Sequence, residues 1–306
     1  MEANPLTKKG QSRNWARPLK PLCNASGTRE EVEILRSSYW YDELSNRMGW
    51  KTPYALERII EPEAFGKCGL NYYHRNKWRH YESGKHSPQR TLREKTDKIV
   101  EGSADAFDHV LWEALKTEYP LGDRTNSLLR TLGPEVLNVV FAPSISGASR
   151  SYRRKPVDGH MLRKLEDRAG MDALASLTLL LREAHENGQR TLAFKIGLPL
   201  LWVLLIFCTT CSATRISYRL FDLYLHKIFP LATTGNRAYC LERYPLSRAT
   251  SLLTSCVLAA EDRGAIGLSW EDTVSYMMQI IRGRFGLDLR IALVPEIEIS
   301  KGVKAA

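Results

Sequence analysis

Residues 196–213 form a stretch of 18 positions without a charged side chain, and this stretch limits the fold more than any other part of the chain. Its length reaches the lower limit for a helix that crosses a bilayer, so it must be buried in lipid or in protein. The neighbouring segments 173–181 and 216–232 are also rich in apolar residues and need a surface to pack on. A bundle core satisfies all three segments, because burying each large apolar side chain contributes about 1.5–3 kcal/mol. We therefore predict a buried core helix.

The location of the protein follows from the same stretch and from its surroundings. Lys and Arg flank the stretch on both sides, at 190 and 195 and again at 215 and 219, so they specify no orientation in a membrane. The six cysteines are dispersed along the chain, as is usual in a reducing compartment. We expect a cytoplasmic protein with no membrane partner, and the alternative is an inner-membrane protein anchored through residues 196–213.

The charge of the chain is positive and unevenly distributed. The 306 residues carry a formal net charge of +10, and residues 1–100 hold 19 Lys and Arg against 12 Asp and Glu. An excess of positive charge favours polyanionic partners, and nucleic acid is the partner that we expect here.

The segment 72–88 combines basic side chains with aromatic rings and ends on Gly84 and Pro88. Between Lys67 and Lys98 the chain holds nine Lys and Arg against three acids. Such a cluster neutralises phosphates, which is the main source of nucleic-acid affinity that does not depend on sequence. We predict a helix over 72–83, with Trp78 and Tyr81 on one face as core anchors.

Two motifs resemble those of the lambda-repressor-like helix-turn-helix DNA-binding family, over about residues 42–88. Residues 81–88, Tyr-Glu-Ser-Gly-Lys-His-Ser-Pro, are similar to the W-E-x-G-x-x-x-P signature that closes the recognition helix. Residues 44–49, Leu-Ser-Asn-Arg-Met-Gly, are similar to the L-A-x-x-L-G segment that ends the second helix. Gly49 and Tyr81 are 32 positions apart, more than in the family, so an insertion would separate the two helices. The chain also resembles a type of uncharacterised bacterial protein that joins such a segment to a helical C-terminal half.

The resemblance implies a set of DNA-contacting residues. The recognition helix would lie in the major groove, where Arg and Lys match guanine and Asn matches adenine. Residues placed at the bases are Arg75, Asn76, Lys77, Arg79 and His80, and residues placed near phosphates are Lys85, Arg90 and Arg93.

The fold class that we predict is mainly α, with an N-terminal helix-turn-helix-like domain, a C-terminal helical bundle and room for one short C-terminal strand pair. Capping signals predict helix starts at Thr28, Thr52 and Ser269, and the apolar runs 287–294 and 296–299 are candidate strands. The expected division is a flexible basic arm over 1–27, the helix-turn-helix-like domain over 28–117, a linker over 118–157 and the helical domain over 158–306.

Signals of catalysis are weak. The chain contains no nucleophile elbow, P-loop, dinucleotide-binding fingerprint or H-E-x-x-H motif. His74, His80 and His86 are six residues apart, which is a turn of about 240° per step on a continuous helix, so we expect them not to meet at a metal. We predict no enzyme activity, no cofactor and no metal site.

The sequence therefore predicts a non-enzymatic DNA-binding protein, a regulator or accessory factor. Three alternatives stay open: an RNA-binding protein that stacks bases on its tyrosines and Trp78, a membrane-tethered DNA-binding factor, and a structural protein that binds a partner or a second copy through its helical half. A solvated helix surface is the simplest explanation of the basic segment.

Overall fold

The computed structural model describes residues 30–65, 77–146, 149–267, 269–293 and 296–299. These residues are mainly helical and include short antiparallel strand pairs, so the predicted fold class is confirmed. The helices are α1 Glu31–Arg47, α2 Pro53–Ile60, α3 Lys77–Glu82, α4 Arg90–Ile99, α5 Ser103–Asp108, α6 Val110–Ala114, α7 Arg124–Leu129, α8 Pro134–Val140, α9 Gly159–Glu166, α10 Met171–Glu186, α11 Arg190–Phe207, α12 Ser217–Leu223, α13 Arg243–Asp262, α14 Trp270–Ile281 and α15 Leu287–Leu293. The strands are β1 Phe141–Ser146, β2 Ser149–Arg154, β3 Arg237–Cys240 and β4 Glu296–Ile299.

Local capping signals place two helix starts correctly. Thr52 accepts a hydrogen bond from the amide of Ala55, and Pro53 occupies the first position of α2. Ser269 caps α14 through the amide of Asp272. The first helix differs from the prediction, because α1 begins at Glu31, whereas Thr28 and the predicted arm over 1–27 lie outside the described residues.

The turn between α3 and α4 depends on one glycine. Gly84 has φ +68°, and a Cβ at this position would lie 2.6 Å from the carbonyl oxygen of Ile34 in α1. The amide of Lys85 then donates to the carbonyl of His80, which closes the helix end. This close approach fixes the turn directly against α1.

Residues 107–115 have helical spacing in the sequence but are divided between α5 and α6 at His109. His109 has extended backbone angles, and its Nδ1 accepts a hydrogen bond from the amide of Leu111 at 3.1 Å. Its Nε2 lies 2.9 Å from Oδ1 of Asp172 in α10. The imidazole therefore caps the start of α6 and joins α6 to α10. Local spacing in the sequence cannot predict this contact, because Asp172 is 63 residues away.

The segment 118–157, predicted as a linker, contains α7, α8 and the hairpin of β1 and β2. Its apolar part is buried, with Val136, Val139 and Val140 in α8 and Phe141 at the start of β1. These four side chains belong to the hydrophobic core, so the segment is more than a linker.

The central pair of the C-terminal half is α10 and α11, and α9, α13 and α14 pack against α11. Most of α11 is buried, including Ile196, Leu200, Leu204 and Phe207, which confirms the predicted core helix. The helix ends at Phe207 instead of Ala213, and the chain then continues in turns up to Ile216. Within the described residues, α11 is the one helix that is long and apolar enough to cross a membrane, but core helices of soluble proteins have the same composition.

The C-terminal end contains one correct strand prediction and one wrong one. The described part of the run 287–294, predicted as a strand, is α15, because a short apolar run fits either structure and no strand pairs with it among the described residues. Residues Glu296–Ile299 form β4, which pairs antiparallel with β3. The apolar segment 216–232 contains α12, followed by a π-helical turn at Tyr224–Ile228.

Buried contacts join the N-terminal helices to the C-terminal bundle. Tyr39 of α1 packs between Trp112 and Phe207, with ring centroids 5.6 and 5.8 Å away. Arg182 of α10 is almost fully buried and donates to the carbonyls of Ala114, Lys116 and Tyr119 at 2.6–2.9 Å. The contacts hold the two halves firmly against each other.

Candidate nucleic-acid interface

An aromatic cluster packs the buried face of α3 against α1. Trp40 of α1 stacks on Trp78 with ring centroids 5.8 Å apart and meets the edges of Tyr81 and Phe107 at 5.8 and 6.4 Å. Trp78 is fully buried and Tyr81 almost so, which confirms their predicted role as core anchors. Burial of the Tyr81 hydroxyl raises its pKa. These two rings are not exposed for base stacking, while Tyr72 and Tyr73 lie outside the described residues.

Glu61 binds the first turn of α3. Its carboxylate accepts hydrogen bonds from Nζ of Lys77 at 2.7 Å and from Nε1 of Trp78 at 3.0 Å. The side chain of Lys77 is about one third exposed. Lys77, predicted as a base-contacting residue, would have to leave Glu61 to reach a base.

Arg79 on α3 and Lys85 in the turn after it are both exposed. Neither has an ion-pair partner among the residues that the structure describes. His80 is half-buried between them, and its ring centroid lies 4.8 Å from that of His86. Burial and the neighbouring charges of His86 and Lys85 hold the pKa of His80 below its usual value of 6.5.

The proximity of His80 and His86 corrects the argument from their spacing. That argument assumed one continuous helix, but α3 ends at Glu82 and the chain reverses at Gly84. The reversal brings His86 back beside His80. His74 lies outside the described residues, and no group of three or more His, Cys, Asp or Glu in the described part of the chain could hold a metal ion.

The predicted phosphate contacts on α4 are paired with acids. Nε of Arg90 bonds Oε1 of Glu94 at 2.7 Å on the exposed face. Arg93 is less exposed, pairs with Asp108, and places its guanidinium 4.7 Å from the ring centroid of Phe107. Arg93 therefore helps to pack α4 on α5.

The eight predicted site residues thus fall into three groups. Arg79, His80 and Lys85 lie together at the surface, and Lys77, Arg90 and Arg93 are bonded to carboxylates. Arg75 and Asn76 lie outside the described residues. The sequence reasoning left His86 out of the site, although the glycine at 84 signals the turn that exposes it.

A buried ionic group lies behind the end of α3. Arg215, in the turns before α12, bonds Asp42 of α1 through Nε, with distances of 3.0 and 2.8 Å to the two oxygens. Its Nη2 lies 3.1 Å from Oε1 of Glu82. Burial raises the pKa of Asp42 to about 7, against the opposing charge of Arg215. Oγ of Ser38 also donates to the carbonyl of Glu82 at 2.8 Å.

A polar cavity of about 330 Å³ lies far along the chain from these residues, and two of the three acids that line it are already bonded. Glu183 pairs with Arg154, and Glu186 accepts hydrogen bonds from the amides of Leu121 and Gly122. The cavity therefore offers few free groups for catalysis.

No family model matches this chain, and no curated protein or solved structure is significantly similar to it.

Proposed function

We propose that the protein binds DNA without catalysing a reaction, as a regulator or accessory factor, through the surface formed by α3, α4 and the turn between them. The observation that carries the proposal is the pair of exposed cations, Arg79 and Lys85, which have no acid partner within the described residues. Arg79 extends from α3, whose other face is fixed by Trp78 and Tyr81, and Lys85 extends from the turn that follows. Fixed cations are favourable for binding phosphates, because less conformational entropy is lost when the complex forms.

The charge of the whole chain supports the same conclusion. A net charge of +10 attracts a polyanion at long range, and ions in solution weaken that attraction. Arg75 and Asn76 remain the candidates for reading bases, and Arg90 would reach a phosphate by giving up Glu94. Binding should therefore depend strongly on salt concentration.

The test is fluorescence anisotropy of a labelled DNA duplex at several salt concentrations. The variant is the double substitution Arg79→Gln and Lys85→Gln, and the matched control is Arg163→Gln with Lys164→Gln, an exposed Arg and Lys on α9. We expect the first variant to bind more weakly and to reduce the slope of log affinity against log salt by about 1 for each phosphate that the protein no longer neutralises. The control should bind as the unchanged protein does.

Two results would refute the proposal: no binding of duplex DNA at low salt, or equal losses in the two variants. Competition with single-stranded RNA separates the main alternative. RNA binding by stacking could not use Trp78 or Tyr81, because both are buried, and Tyr72 and Tyr73 stay candidates from the sequence.

A partner-binding role remains a second proposal, and it has its own observation. Phe285, Leu287 and Ile291 are large apolar side chains exposed by about half or more near α15. A patch of this kind often marks a protein–protein contact. Sedimentation of the purified protein over a range of concentrations would show whether a second copy covers it.

We also propose that the protein resides in the cytoplasm, since α11 packs against other helices over most of its length. Carbonate extraction of membranes from cells that express the protein at low level tests this location. Retention with the lipid would favour the membrane-tethered alternative.

A further inference from the structure

The C-terminal half contributes one side chain to the support of the DNA-binding surface. Arg215 follows α11, yet its guanidinium lies against α1 and α3. It is 173 residues from Asp42 in the chain and lies mostly buried between the two halves. The contact therefore joins the candidate surface directly to the helical bundle.

The geometry of the guanidinium gives its two edges different partners. Nε binds the carboxyl group of Asp42, which is almost completely buried, and Nη2 points to Glu82. A guanidinium is planar and rigid, so a fixed Nε also fixes the direction of Nη2. The Tyr41 ring, with its centroid 6.0 Å from Cζ, lies beside the group.

Glu82 is the last residue of α3 and lies between the two exposed cations in the chain, three positions after Arg79 and three before Lys85. Its carbonyl is held by Ser38 and its carboxylate by Arg215, so both polar ends of the residue are bound. The turn that carries Lys85 therefore begins from a fixed point.

We propose that Arg215 is a positioning residue for the DNA-binding surface: through Glu82 it fixes the end of α3 in the orientation that binds DNA. The inference rests on the proposed function and adds that the C-terminal half controls the affinity of that surface. The bundle is then part of the binding apparatus, and a ligand or partner that moved Arg215 would change the affinity for DNA.

The substitution Glu82→Gln gives a test in which two explanations predict opposite results. If Glu82 acts on DNA only through its charge, removal of a negative charge beside phosphates should strengthen binding. If Glu82 positions α3, the variant should bind a DNA duplex about 2–5-fold more weakly, the factor that corresponds to losing one partly exposed ion pair. Glu94→Gln is the matched control, because it removes an acid from Arg90 on the same surface without touching Arg215. This control should bind equally well or more tightly.

Hydrogen exchange of the amides at 78–86 gives a second readout that needs no DNA. We expect faster exchange at these positions in Glu82→Gln than in Glu94→Gln, with the midpoint of thermal unfolding almost unchanged. Arg215→Lys is the second variant. It keeps the positive charge but cannot hold both carboxylates with one rigid group, so it should also bind DNA more weakly and exchange the amides at 78–86 faster.

Binding by Glu82→Gln that equals or exceeds that of the unchanged protein would overturn the positioning role and leave the proposed function standing. Unchanged exchange at 78–86 in both variants would overturn it equally. Failure of the unchanged protein to bind duplex DNA would refute the proposed function, and this inference with it.

Discussion

Arg182 should be among the most sensitive positions in the protein. Its side chain is 3% exposed, and its guanidinium donates to the carbonyls of Ala114, Lys116 and Tyr119. Burial lowers the pKa of this guanidinium, because a cation removed from water loses hydration. Arg182→Met keeps most of the side-chain volume and removes every donor.

The size of the effect follows from how deeply each bond is buried. The bond to Ala114 is buried, so its loss leaves a carbonyl without a partner at a cost of about 1–3 kcal/mol. The other two bonds are partly buried, and water can replace part of each, at about 0.5–1.5 kcal/mol apiece. Relief from burying a charge offsets some of this loss. We expect the free energy of unfolding to fall by about 2–4 kcal/mol, a large share of a typical total of about 5–15 kcal/mol.

Urea denaturation followed by circular dichroism measures this change. The free energy of unfolding of Arg182→Lys should lie between those of the unchanged protein and Arg182→Met, since one ammonium group cannot reach all three carbonyls. Arg168→Met is the control: Arg168 is exposed and bonds one carbonyl, so its loss should cost less than about 0.5 kcal/mol. A loss below about 1 kcal/mol in Arg182→Met would refute the reasoning, because it would mean that the carbonyls find other partners.

Three further predictions concern the candidate surface and its support. Gly84→Ala should destabilise the protein by more than the roughly 1 kcal/mol expected for Gly188→Ala in urea denaturation, because both glycines have positive φ but only a Cβ at 84 would meet α1; equal losses would contradict the steric argument. The pKa of Asp42 is raised by burial to about 7, so its contribution to stability is present at low pH and is lost as the pH rises from about 4 to about 7, by up to about 4 kcal/mol. Asp42→Asn should remove this part of the pH dependence, and parallel stability profiles of the two proteins would show that Asp42 does not titrate there. If the surface binds DNA, affinity should increase as the pH falls below 6.5, because protonated His80 attracts phosphates, and anisotropy should show a flatter profile for His80→Gln; an unchanged profile would exclude His80 from the interface.

The sequence predicted the parts of the fold that depend on neighbouring residues. Thr52 with Pro53, and Ser269, mark helix starts because a cap and its amide lie within three residues. The core position of α11 was also predictable from the sequence, because a long stretch without charged side chains is stable only when it is buried in protein or lipid.

Structure that depends on distant partners was not predictable in the same way. His109 divides a helix because its ring meets Asp172, 63 residues away. Lys77 and Arg93 count as positive charges in the composition, yet Glu61 and Asp108 neutralise them in the fold. A sequence gives the number of charges, whereas the exposed charge of a surface depends on which of them are paired.

The position of α1 has a consequence for how the chain acquires its structure. Buried on most of its faces, α1 contacts residues close in sequence through Trp40 and residues almost two hundred positions later through Glu31, which bonds Arg219. Contacts between such distant segments form slowly, because a long loop must close before they stabilise anything. During synthesis on the ribosome, α1 is made early, but the residues that cover Tyr39 and Asp42, Phe207 and Arg215, are made much later. Both side chains stay exposed in the meantime. The first helix of the described residues is thus one of the last to complete its contacts, and its apolar side chains stay uncovered during that interval.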